Sequence, residues 1–352
     1  MNAINADIAE IIDCRKEALA EAAVTRCWEA APELGERYGE PGRRKCIQDV
    51  SYHFSYLSNA IAVSCPELFA DYLAWAKVLL TGLGIPVADV TNSLNAMSDV
   101  LQQELSVEMG EILRPYITAG LQVLASDSAG PSCFIDTGEA LRGLTRQYVD
   151  VLLKGDRNAA SRLILDAVES GASVQDIYLH VFQQSQYEIG RLWQTGQISV
   201  AQEHLFTAAT QLIMSQLYSH VFTSKKNGRT LVAACVGGDL HEIGCRMVAD
   251  FFEMDGWDTL YFGASTPTPS IVEAVRKHGA EVLAISATMT FHARAVANLI
   301  TAVRAADPGR KVTIMVGGYP FKVAPDLWRQ VGADLFAHDA QEAVARMRKT
   351  AA

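Results

Sequence analysis

The sequence predicts an α plus α/β chain: an N-terminal helical bundle, a central helical unit and a C-terminal doubly wound parallel sheet. Three observations lead there. Up to about Ser126 apolar side chains recur at helical spacing almost throughout. A small, polar stretch with Gly and Pro, SDSAGPSCFIDTG, then separates them from a second helical run ending near Ser224. Beyond it, short β-prone runs alternate with helical segments, which implies parallel strands joined by crossovers. The boundaries expected are residues 1–126, a linker at 127–136, 137–224 and 228–352.

In order along the chain, Ala6 to Ala31 is an Ala- and Glu-rich helix ending before Pro32, followed by a polar loop with Gly35, Gly39, Pro41 and Gly42. Lys45 to Val63 carries Val50, Phe54, Leu57 and Ile61 on one face, and Pro66 opens the next helix at a favourable first-turn position. A long helix from Val87 to Leu124, bent at Pro115, completes four helices, a bundle of globin-like size. Aromatic residues crowd its second helix. Tyr52, His53, Tyr56 and Trp75 form a candidate pocket for a planar tetrapyrrole, because aromatic faces stack on such a ligand while a polar ring meets its edge; the alternative is ordinary core packing.

In the central unit, Trp193 and the pair Glu203-His204 stand on opposite sides of a tight turn at Thr195-Gly196, placed to converge on one ligand. In the sheet region, Leu231 to Val236, Glu281 to Ser286 and Lys311 to Gly318 read as buried strands, with helices at Pro269 to His278 and Ala293 to Asp307. The first strand stops at Gly237-Gly238, and Asp239, Leu240, His241, Ile243 and Gly244 follow, on a loop at the C-terminal end of a parallel strand where open sheets bind ligands. An aspartate two residues before a histidine can hold one imidazole nitrogen and leave the other for a metal. Ser265 to Ser270 (STPTPS) reads as a loop entering a helix.

Composition excludes several functions. With 30 Lys and Arg against 40 Asp and Glu, the formal net charge of −10 argues against nucleic acid or an anionic membrane as a partner. Seven cysteines, an odd number without C-x-x-C spacing, read with the lack of a signal peptide or long apolar run as reduced thiols of a cytoplasmic protein. No nucleophile and base constellation, phosphate-binding loop or kinase signature is present, so the chain is not expected to be an enzyme.

The pattern Asp239-x-His241-x-x-Gly244 resembles the signature of the Rossmann-like cobalamin-binding domain of methionine synthase, corrinoid mutases and corrinoid methyltransferases. The resemblance implies that His241 is the lower ligand of cobalt, tuned by Asp239. It also implies that the nucleotide tail runs past Ser286 and Thr288, the latter where that family has leucine, and past Gly317, Gly318 and Tyr319. Close approach of that tail is then the expected reason for the two glycines. Trp193-x9-Glu203-His204 is similar to the light-dependent carotenoid-gene repressors that carry adenosylcobalamin, which implies a four-helix cap with Trp193 and Glu203 on the adenosyl group and His204 close by. A histidine follows the tryptophan in those repressors; here it is Gln194. Their basic DNA-binding domain has no counterpart before Ser126, and the domain order resembles the photocobilins, which implies biliverdin as a second chromophore beside cobalamin. The expected function is a cytoplasmic light sensor in which photolysis changes domain packing and the state of a homo-oligomer, acting through a regulatory protein partner. The alternatives are a corrinoid methyl carrier of a methyltransferase system and an antirepressor acting on a transcription factor. A haem on His53 is a further possibility for the bundle.

Overall fold

The computed structural model describes residues 3–127, 130–135, 141–309 and 312–350. The expectations for the linker and for the start of the central unit at Thr137 fall partly outside them. The chain forms two compact units. The first is Met1–Ser128 with Ala287–Ile300 and Tyr319–Gly332; the second is Ala129–Ser286 with Thr301–Gly318 and Ala333–Ala352.

The first unit begins with α1 (Ala3–Ala30), α2 (Glu33–Ala62), α3 (Pro66–Gly82), α4 (Val87–Glu104) and α5 (Val107–Ala125). Two expectations need correction here. The polar stretch around Gly35 to Gly42 is not a loop: it is helical on both sides of a kink at Gly39 (φ 58°), and Pro41 lies just past the kink, where a helix start tolerates its missing N–H. The long helix from Val87 breaks at Leu105 and Ser106 rather than bending at Pro115. Ser106 caps α5 by accepting from the Met109 N–H, which fixes the break, while Pro115 sits inside α5. Five helices therefore stand where four were expected, with Ile8, Phe54, Phe69, Leu73 and Met97 fully buried among them.

In the second unit, α6 (Arg142–Leu153) and α7 (Arg157–Glu169) are followed by α8 (Val174–Asp176), a π-helical stretch at Ile177–Phe182 and α9 (Gln183–Gln194). Gly196 closes α9, its N–H bonding to the Trp193 carbonyl at 3.0 Å while the Gln197 N–H bonds to Leu192 at 2.8 Å. Ser199 and Gln202 then form a capping box that starts α10 (Val200–Gln216), and α11 (Tyr218–Val221) ends the helical part.

The sheet contains β1 (Thr230–Cys235), β2 (Asp258–Tyr261), β3 (Val282–Ser286), β4 (Thr313–Gly317) and β5 (Leu335–Phe336), all parallel in the order β2-β1-β3-β4-β5. Helices α12 (Ile243–Met254), α13 (Thr268–Lys277), α14 (Ala293–Ala306), α15 (Tyr319–Val323), α16 (Leu327–Gln330) and α17 (Ala340–Thr350) alternate with the strands. β1, β3 and β4 are buried nearly end to end, as strands covered on both faces must be, and they are the three the sequence predicts. β2 is a half-exposed edge and β5 has two residues, too short for a hydrophobic run to announce either. One continuous core joins the helical part to the sheet within this unit, from Tyr148, Phe182 and Phe206 to Phe251, Phe252 and Trp257.

Register and order together position the ligand loops. Cys235, Ser286 and Gly317 are paired across β1, β3 and β4, so the loops that follow leave the sheet at one level. β1 and β3 are neighbours whose chains leave in opposite directions along the sheet, which makes the crevice between their ends the switch point where such sheets bind ligands.

The connection from α12 to β2 turns at Gly256, whose φ is 87° and where a Cβ would stand 2.5 Å from the Lys225 carbonyl oxygen. Gly256→Ala is expected to cost about 2–3 kcal/mol of unfolding free energy, from left-handed strain and the backbone clash together, read by urea denaturation.

Candidate functional site

The loop after β1 is built around one carboxylate. Asp239 is fully buried, and its Oδ1 accepts both from the His241 backbone N–H at 3.0 Å and from His241 Nδ1 at 2.9 Å. The Asp239 carbonyl accepts from the Ser265 N–H at 2.8 Å, the Ser265 hydroxyl accepts from the Gly238 N–H at 3.0 Å, and Cys235 Sγ lies 3.7 Å from the His241 carbonyl. These contacts fix the loop and set the tautomer of the ring: Nδ1 carries the proton and Nε2 keeps its lone pair. The His241 side chain is 57% exposed, and its pKa is raised, chiefly by the Asp239 hydrogen bond and also by the charge of Glu203.

The surroundings fit a metal held inside a macrocycle. Leu240 is 75% exposed, and a Cβ placed on Gly244 would meet no atom within 4 Å, so the ground beside His241 is open. Among the described residues no group of three His, Cys, Asp or Glu is placed to hold a bare ion. A metal on His241 would therefore bring its remaining ligands with it, as a corrin does. Ile243, by contrast, is buried as the first residue of α12 and packs rather than faces outward.

Across the loops, Ser286 and Thr288 are half-buried at and beyond the end of β3. Gly317 ends β4 and Gly318 follows it with φ 106°, a left-handed turn that favours glycine, while a Cβ on Gly317 would make only ordinary contact, 3.4 Å from the Ala337 carbonyl oxygen. Tyr319 is exposed, and within the first unit its hydroxyl donates to Asp71 of α3 at 2.9 Å.

The residues expected on the upper face lie around the turn that joins α9 to α10. Trp193 is half-buried in the last turn of α9, and Gln194 is buried beside it. Glu203 accepts from Thr207 at 2.9 Å with one oxygen and pairs with His204 Nδ1 at 2.5 Å with the other, while the His204 side chain is exposed. The charge of Glu203 is felt at His241, where it adds to the effect of Asp239.

In the first unit, His53 is buried and bonds through Nδ1 to the Tyr72 hydroxyl at 2.7 Å. Tyr72 stacks on Tyr56 with ring centroids 3.4 Å apart and lies 6.3 Å from Trp75; Tyr56 also meets Phe291 edge-on at 5.0 Å. Tyr52 stands half exposed outside this stack. Sequence reasoning missed Tyr72, the centre of the cluster, although its position among the apolar residues of α3 was legible. It missed Phe291 because no local pattern ties that segment to the bundle. Glu242, which follows His241 and binds Tyr261, Ala264 and Gln211, stands at an unspecified position of the motif, so no local pattern marks it.

Burial pushes the His53 pKa down from 6.5 to about 4. The ring is neutral when folded, so its contribution to stability is full above 6.5 and is lost as pH falls through about 4. His53→Gln is expected to remove about 2 kcal/mol of the stability lost between pH 7 and pH 4.5, measured by urea unfolding at both values.

Comparison with known proteins adds to this geometry. Residues 229–348 match the family described as B12 binding domain, residues 144–218 match a second family of the same description, and residues 2–124 match the phycobilisome protein family. Dimethylamine corrinoid protein 2 of Methanosarcina acetivorans is 26% identical over 167 residues, 46% of this chain and 75% of the relative. A dimethylamine corrinoid protein of Methanosarcina barkeri is 31% identical over 120 residues, 34% of this chain and 55% of the relative. The solved structure of the Methanosarcina barkeri monomethylamine corrinoid protein has the same fold over 60% of this chain and all of its own, with a TM-score of 0.54 and 22% identity. Residues 144–218 and 229–348 thus carry domains of the cobalamin-binding type, and this part of the chain is related to the methylamine corrinoid proteins.

Proposed function

We propose that the protein is a light sensor that holds adenosylcobalamin, with His241 on the lower face of cobalt and Trp193 and Glu203 on the adenosyl side, and biliverdin in the N-terminal unit. The observation that carries this reading is the order of segments: a phycobilisome-type region at 2–124 precedes the two cobalamin-binding domains. Bound adenosylcobalamin would supply a cobalt–carbon bond that visible light breaks. Asp239 keeps the His241 ring oriented and holds the proton of the neutral ring on Nδ1, which leaves Nε2 as the nitrogen that would meet the metal. Trp193 covers apolar surface of the adenosyl group, and Glu203, itself oriented by Thr207, accepts from its polar groups. Loss of those contacts would let the ends of α9 and α10 repack, a change that a homo-oligomer or a regulatory protein would read. A bilin in this unit would stack in the aromatic cluster of Tyr56, Tyr72, Trp75 and His53 by opening the Tyr56–Tyr72 stack, which is closed and buried here. The chain signals rather than turns over a substrate, and it acts in the cytoplasm.

A second reading is favoured by the relatives. Dimethylamine and trimethylamine corrinoid proteins align with this chain over 34–59% of its length, and a methyl carrier serving methyltransferases would need His241 and the sheet in the same roles. Those alignments leave a large part of this chain unmatched. A carrier must also open its methyl group to a partner, which an indole beside a carboxylate hinders.

Protein reconstituted with adenosylcobalamin and biliverdin is expected to show a light-labile cobalt–carbon bond, a red-absorbing bilin band and a change in elution volume on illumination. A light-stable corrinoid without a bilin band would leave the methyl carrier as the reading. His241→Ala should lower cobalamin retention and move its spectrum to the base-off form. Trp193→Ala should loosen adenosylcobalamin at least about fivefold more than methylcobalamin, as the loss of one well-packed aromatic face implies; equal effects on the two would oppose the adenosyl assignment.

A further inference from the structure

The helix that carries Glu203 also grips the loop that carries His241. Gln211, eight residues after Glu203 on α10, donates from Nε2 to Glu242 Oε1 at 2.7 Å. Glu242 directly follows His241 and is the N-cap of α12. Its Oε2 accepts from the Tyr261 hydroxyl at 2.9 Å and from the Ala264 N–H at 3.1 Å. Gly263 makes room for that oxygen, since a Cβ there would lie 2.8 Å from it. Gln211 is held from the other side as well: Arg246 Nη1 donates to its carbonyl at 3.2 Å, Arg246 Nη2 donates to Ser215 Oγ at 2.9 Å, and the guanidinium lies over the Tyr218 ring.

We infer that Gln211 and Glu242 form a latch through which the cap helix sets the position of His241, so that Glu242 is a positioning residue for the lower cobalt ligand. The inference rests on His241 being that ligand. Glu203 and Gln211 are about 12 Å apart along one continuous helix, so a shift at the upper face carries Gln211 with it as a rigid piece. Moving Gln211 takes a donor from a half-buried carboxylate, and the residue that carries it is joined to the histidine by a peptide bond. Glu242 can recover the lost hydrogen bond only by turning toward another donor or solvent, and in turning it disturbs the loop that Asp239 holds. The latch thereby makes the strength of the lower ligand depend on what the cap covers.

The test uses the full chain loaded with cobalamin and reduced to cob(II)alamin. Nitrogen splitting of the cobalt lines in electron paramagnetic resonance then reports the ratio of histidine-on to histidine-off forms, and equilibrium dialysis reports retention. Gln211→Ala should retain cobalamin and lower the ratio about threefold, because only part of the free energy of one hydrogen bond to a charged group is passed on to the histidine. Gln211→Glu, which sets two carboxylates together, should lower it about tenfold or more. Combining Gln211→Glu with Glu242→Gln restores a donor to an acceptor and should bring the ratio back to within about twofold of the parent. A ratio unchanged in both single Gln211 variants, or not recovered in the exchange, would overturn the latch. Absence of nitrogen splitting in the parent protein would overturn the lower-ligand assignment itself, and the latch with it.

Discussion

A buried carboxylate is the constraint on which the cobalamin-binding half depends. Asp239 has no exposed surface, and an isolated charge in that position would cost several kcal/mol. His241 offsets that cost with two donors, one from its backbone and one from its ring. The pair can form only if the chain reverses sharply after β1, and Ser265 supports that reversal from the loop after β2. The same bonds that satisfy the buried charge turn Nε2 outward. Orientation of the imidazole and local stability are therefore one requirement, and a substitution that relaxes either relaxes both.

Helix α12 connects this loop to the rest of its unit. Glu242, Arg246 and Asp250 follow one another along one face at helical spacing, and each reaches a residue of the helical cap: Glu242 meets Gln211, Arg246 meets Gln211 and Ser215, and Asp250 accepts from Tyr178 at 2.9 Å. Burial raises the Asp250 pKa to about 6, against the opposing effects of Tyr178 and Arg246. A polar seam thus runs beside the apolar core shared by cap and sheet. Apolar packing holds the two parts together without direction, whereas the seam fixes their register residue by residue.

The sequence made the central strands, the histidine loop and the cap turn legible because each has a local cause. A strand covered on both faces must be apolar throughout, a loop at a strand end needs glycine and a capping residue, and α10 starts with a capping box. What stayed hidden depends on distant partners. The edge strands β2 and β5 are defined by neighbours rather than by their own composition. The break at Leu105 and Ser106 was hidden because a capping serine weighs less in a hydrophobic pattern than a proline, yet Pro115 is tolerated within α5. Gly318 is required by its own backbone, at φ 106°, while a Cβ on Gly317 would make only ordinary contact with the Ala337 carbonyl. Tyr72 and Glu242 act through contacts 19 and 31 residues away in the chain, with His53 and Gln211, which no period of the sequence encodes.

The thiols beneath the histidine loop have a consequence for metal selectivity. Cys235 and Cys245 are both sealed from solvent; Cys235 is engaged with the His241 carbonyl, and its contact with Cys245, together with burial, keeps the latter protonated. Sulfur is a softer donor than imidazole and, as thiolate, would compete for a transition metal. With one sulfur sealed at the end of β1 and the other in α12, the loop between them offers solvent an imidazole nitrogen instead, so the choice between nitrogen and sulfur donors is made by burial before any metal arrives.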